Sequence, residues 1–150
     1  MREIKFRGKT DEGWVFGYLG IDVDDVLQIE RKNYEGAIEL IEVIDDTVGE
    51  YIGIRDKKGK KIYEGDILEV LFVDSERGIR EIVNTCVVEF DEDRAAFGIR
   101  TYVDDNDKEG VFTGFFDNII AEFLVIGNIH DNPEFLKKNK QKGNKKRLKT

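Results

Sequence analysis

The sequence predicts a mainly β fold, and three observations carry that reading. Runs rich in β-branched and aromatic residues recur along the chain, separated by short clusters of Gly, Asp and Asn. Proline occurs once, at Pro133. Helix-start chemistry appears near the C-terminus, after the last β-type run.

The elements follow in order. Ile4 and Phe6, a polar break containing Gly13, and then Trp14, Phe16, Tyr18 and Leu19 read as two strands joined by a turn. Asp22 to Asp25 form a polar loop, and VLQIE, residues 26–30, is a third short strand. GAIELIEVI, residues 36–44, fits neither the helical nor the strand period cleanly, and its β-branched content favours strand.

EYIGIR and KKIYEGDILEVLFV flank the turn DKKG, where Gly59 supplies the positive φ that a tight hairpin demands. Tyr63 and Ile67 then lie on either side of a bend at Gly65, and Asp66 is placed to accept hydrogen bonds from nearby backbone amides. A corner between barrel strands is the economical reading of Glu64-Gly65-Asp66, and a ligand site is its competitor.

Farther on, residues 78–102 read as a long hairpin turning near Asp91 to Arg94. DDNDKEG is a hydrophilic loop, and VFTGFF and AEFLVIGNI are two more strands. Asn132 as N-cap, Pro133 at the first helical position and Glu134 in the first turn predict a short C-terminal helix. Beyond Phe135 the apolar residues vanish except Leu136 and Leu148. The expected organisation is a folded β domain over 1–136 and a disordered basic tail over 137–150.

Charge is divided the same way. Lys137, Lys138, Lys140, Lys142, Lys145, Lys146, Arg147 and Lys149 give the tail +8, which leaves 16 basic against 32 acidic groups, or −16, on residues 1–136. These eight are the candidate tail contacts, expected to meet acidic protein surface first.

The catalytic inventory is thin. Cys86 is the single cysteine, so no intrachain disulfide and no multi-cysteine zinc site can form, and its strand-like neighbours predict a buried, inert thiol. His130 and Ser75 are the lone histidine and serine and stand far apart in sequence. The paired acids, such as Asp24 with Asp25 and Asp45 with Asp46, fall in predicted loops. A calcium loop counted from Asp105 gains Asp107, Glu109 and Gly110 but ends on Phe116 where a bidentate acid is required. No phosphate-binding glycine motif occurs. Catalytic, cofactor and metal residues are therefore expected to be absent. No apolar run reaches membrane-spanning length, so a cytoplasmic protein without membrane contact is expected.

Three blocks carry a family likeness: REIKFRG at the start, TVGEYIGIRDKKGKKIYEGDILEV in the middle and EFLVIGNIHDNPEFL near the end. In order and spacing they resemble the YopX family of phage and prophage proteins, departing from it at Ile52, at His130 and around residues 20–43. The resemblance implies a small SH3-like barrel with additional N-terminal strands, in a bacterial host cytoplasm. It supplies no activity and no functional residue. The expected function is a non-enzymatic protein-binding or assembly module whose acidic body meets a basic partner, with homo-oligomers allowed. The alternative is a nucleic-acid-associated protein using the basic tail and aromatics such as Phe97 or Tyr102. An enzyme working through carboxylates ranks third.

Overall fold

The computed structural model describes residues 2–74, 76–102, 104, 106–115, 121–140 and 146–149. Ser75, Asp105, Phe116, Lys142 and Lys145, named above, lie outside the described residues. Strands dominate, in two antiparallel sheets, and the chain divides into two compact units, Met1–Ile54 and Arg55–Thr150.

The first unit holds β1 (Phe6–Thr10), β2 (Gly13–Ile21), β3 (Leu27–Lys32), β4 (Ile38–Glu42) and β5 (Ile44–Arg55), in the order β4-β3-β2-β1-β5. Side-chain carboxylate and amide oxygens build its turns. Asp22 Oδ1 accepts from the amides of Asp24 and Val26, and Asn33 Oδ1 from those of Glu35 and Ala37. Val15, Ile29 and Val43 form the core, with Phe6, Leu27, Ile41 and Val48 packed against them. Val43 alone separates β4, at one end of the strand order, from β5 at the other. The sheet must curl to bring those ends together. Gly8 makes room for the bend, since a β-carbon there would lie 2.7 Å from Val43 Cβ.

In the second unit β6 (Lys61–Tyr63) follows the Asp56–Lys60 turn. Then come β7 (Asp66–Asp74), β8 (Ile79–Asp91), β9 (Ala96–Thr101), β10 (Val111–Gly114), β11 (Ala121–Asn128) and β12 (Lys146–Lys149). The order is β10-β9-β8-β7-β11, and β12 pairs antiparallel with β8. Consecutive Ile67 and Leu68 have no exposure, so β7 is covered on both faces.

Two expectations need correction. Among the described residues each strand order has two free ends, so neither sheet closes into a barrel. The C-terminal helix is a 3-10 helix, Pro133–Lys140. Asn132 does not cap it as expected: its Oδ1 turns back toward the Asn128 amide, at 3.4 Å, over Gly127. The Phe135 amide bonds to the Asn132 carbonyl three residues earlier, which is 3-10 spacing.

Candidate functional site: the Asp56 clasp and the Gly65 corner

The lysine-rich turn is organised by Asp56, a residue that exposes 7% of its surface. Its Oδ1 accepts hydrogen bonds from the amides of Lys58 and Lys60, both at 2.9 Å. The Asp56 amide donates to the Lys60 carbonyl and the Gly59 amide to the Asp56 carbonyl, with Gly59 at φ +85°. The second oxygen reaches out of the turn. Asp56 Oδ2 accepts from the Val125 amide at 3.0 Å, and the Lys57 amide donates to the Phe123 carbonyl at 2.8 Å. The turn thus covers the side of β11 that faces away from β7. The lysine residues stay exposed.

Burial raises the Asp56 carboxyl, but the amides of Val125, Lys60 and Lys58 together outweigh it and hold it below the ordinary aspartate value. A depressed folded-state value stabilises the fold above the unfolded value. That contribution is lost as pH falls through the folded value, below the usual aspartate range.

Nine residues on, Gly65 adopts φ +86°. Its amide donates to the Val88 carbonyl and its carbonyl accepts from the Ile129 amide, both at 2.9 Å. Asp66, 1% exposed, accepts from the Tyr63 amide at 2.8 Å. Across the ladder Asp66 faces Asn128, whose Oδ1 accepts from the amides of His130 and Asp131 and whose Nδ2 donates to Asp131. The Glu64-Gly65-Asp66 corner and the Gly127–Asn132 turn therefore hold each other by backbone groups. Replacing Gly65 by valine puts a branched β-carbon at positive φ and is expected to cost about 1–3 kcal/mol. Urea unfolding followed by circular dichroism measures it, and an unchanged midpoint would contradict the corner reading.

The two blocks that meet in this way are distant in sequence, and both lie inside residues 6–137, which match the YopX protein family. The chain belongs to the YopX family. No curated protein matches it. For this YopX-family chain, the central and C-terminal blocks meet in one structural fastening, in which the side chains of Asp56, Asp66 and Asn128 accept from backbone amides.

The remaining expected residues are placed elsewhere. Cys86 is fully buried, and burial pushes its thiol up to about 12, which keeps it in the unreactive thiol form at neutral pH. Asp104 and Asp107 accept from amides of their own loop, and the described residues contain no cluster of groups able to hold a metal ion. Phe97 stacks edge-on with Phe90 at 5.1 Å. Burial first, and then Glu89, raise the Tyr102 hydroxyl. Of the tail, Lys137, Lys138 and Lys140 lie in the 3-10 helix, and Lys146, Arg147 and Lys149 in β12. No described helix is long and apolar enough to cross a membrane.

One further surface is defined by the fold alone. On the face of the first sheet opposite its core, β2 presents Trp14, Phe16 and Tyr18 at alternate positions. The register sets Tyr18 beside Glu30 and Glu30 beside Leu40, with Lys32 beside Ile38. Phe16 is 43% exposed, Tyr18 64%, Ile38 61% and Leu40 60%. The Arg7 guanidinium lies 4.6 Å from the Trp14 ring centre. The alternation in β2 was visible in the sequence, but which face lay open depended on where Val15 and Ile29 found their core.

Proposed function

We propose that this chain is a non-enzymatic protein-binding or assembly module, and that its binding surface is the open face of the first sheet. The exposed row of Phe16, Tyr18, Ile38 and Leu40 carries this reading. Large apolar and aromatic side chains grouped on one face are the common signature of an interaction surface. Residues 1–54 hold six basic and thirteen acidic groups, a net −7, which favours a partner with a basic surface. The family likeness supports a phage or prophage origin and a bacterial cytoplasmic setting. It also supports an SH3-like arrangement for part of the chain, in keeping with the register shifts in β7 with β8 and in β11.

A second reading has its own support. Trp14, Phe16 and Tyr18 alternate beside Arg7 and Lys9, a pattern on which bases stack, and the basic tail attracts phosphate. The net −7 of the same unit opposes it. Affinity capture from phage-infected host lysate, with and without nuclease, separates the two. The expected result is a protein retained after nuclease and lost with the pair Tyr18→Ala and Leu40→Ala. Capture abolished by nuclease would put the nucleic-acid reading first.

A further inference from the structure

We infer that β4 is a self-complementary edge through which two copies of the chain join their first sheets in an antiparallel, two-fold contact centred on Leu40. This goes beyond the partner-binding reading and stands independently of it. The hydrogen-bonding sense of β4 follows from its neighbours. The Asn33 amide donates to the Ala37 carbonyl and the Val43 amide to the Leu27 carbonyl. Antiparallel pairs alternate between bonded and non-bonded. Between those two points the register pairs Lys32 with Ile38, Glu30 with Leu40 and Gln28 with Glu42, and these three are the non-bonded pairs. The backbone N–H and C=O of Ile38, Leu40 and Glu42 therefore point away from β3, where no described strand pairs with them.

Such an edge is usually guarded. The outer side of β11 is covered by the Asp56 turn, as described above. Among the described residues no strand or turn covers β4, which has no proline and no lysine and whose only charges are Glu39 and Glu42, and Ile38 and Leu40 are 61% and 60% exposed.

The register of β4 against itself selects a second copy as the occupant, although the net charge of each copy opposes the contact at low salt. With two β4 strands antiparallel about Leu40, Leu40 faces Leu40, Ile38 faces Glu42, and Glu39 faces Ile41. The outward-pointing residues then pair with one another, so every outward N–H meets a C=O. No glutamate stands directly opposite a glutamate, and Glu39 is already engaged with Arg31 at 3.3 Å. The contact is isologous and closes at two copies. It also extends the open aromatic face across the axis.

Sedimentation of the purified full-length chain over a concentration series, at salt from about 0.02 to 0.5 M, tests this. A reversible monomer–dimer equilibrium is expected that strengthens with salt, because each copy carries −8 and screening reduces their repulsion. Leu40→Pro removes an outward N–H that β3 does not use, so it should weaken the dimer at least about tenfold while the monomer keeps its circular dichroism. Leu40→Lys sets like charges across the axis without touching the backbone and should do the same, so the test survives if the proline variant fails to fold. A chain that stays monomeric throughout overturns the proposal, as does a dimer indifferent to Leu40→Lys. A dimer that weakens as salt rises also overturns it, and assigns association to the basic tail on an acidic body.

Discussion

Replacing Asp56 by alanine is expected to destabilise the chain by about 2–4 kcal/mol, because three backbone amides lose a charged acceptor and one of them, Val125, is partly buried. For a chain of this size that corresponds to a fall of roughly 5–12 °C in the unfolding midpoint. Asn at the same position keeps Oδ1 for Lys58 and Lys60 but turns an amide N–H₂ toward the Val125 N–H. It should lose about half as much. Calorimetry at neutral pH measures both variants, and repeating it at falling pH adds an internal control. The wild type should approach Asp56→Ala in stability below the usual aspartate range, where its own carboxyl is protonated. Equal midpoints for wild type and Asp56→Ala at neutral pH would show that the turn is not fastened.

Gly17→Ala should unfold the first unit. A methyl group there would fall on the Glu30 carbonyl oxygen and press on Ile29 Cγ2 at 3.1 Å, and a backbone carbonyl in a strand ladder cannot swing aside. Relief requires β2 and β3 to separate next to the core formed by Val15 and Ile29. The expected cost is about 4 kcal/mol or more, in the range reserved for strain in a packed centre. Trp14 is the single tryptophan and lies on β2, so its emission reports on this unit. The variant is expected to emit like the urea-unfolded chain. Gly20→Ala is the control, since a β-carbon at Gly20 meets nothing within 4 Å. Native emission from Gly17→Ala would refute the steric reading.

The strands were legible because alternation, glycine and Asx-type turn residues act within a few positions of each other. Gly13 and the Asp22 turn bound β1 to β3 as the local pattern indicated, whereas the Asn33 turn between β3 and β4 emerged only from the structure. GAIELIEVI resisted a period for a physical reason: it contains the end of β4, the bend at Val43 and the start of β5, so no single alternation runs through it. The boundary at Ile54 and Arg55 falls inside β5 and carries no linker composition to mark it. The role of Asp56 is not legible in the sequence because two of its partners are local and read as turn chemistry, while the third lies 69 residues away on β11. The C-terminal helix misled in the opposite way. Its cap, proline and glutamate satisfy local rules, yet the Asn132 side chain is drawn back over Gly127 by the turn beneath it.

Asp56, in the middle one of the three blocks, fastens its turn to β11. Amide hydrogen exchange at Lys58, Lys60, Val125 and Ile129 tests it most directly. Lys58 and Lys60 sit on an exposed turn, where unfastened amides exchange freely. All four are predicted to exchange as slowly as the β7–β11 ladder, and Lys58, Lys60 and Val125 to lose that protection in Asp56→Ala. Rapid exchange of Lys58, Lys60 and Val125 in the wild-type protein would contradict the clasp.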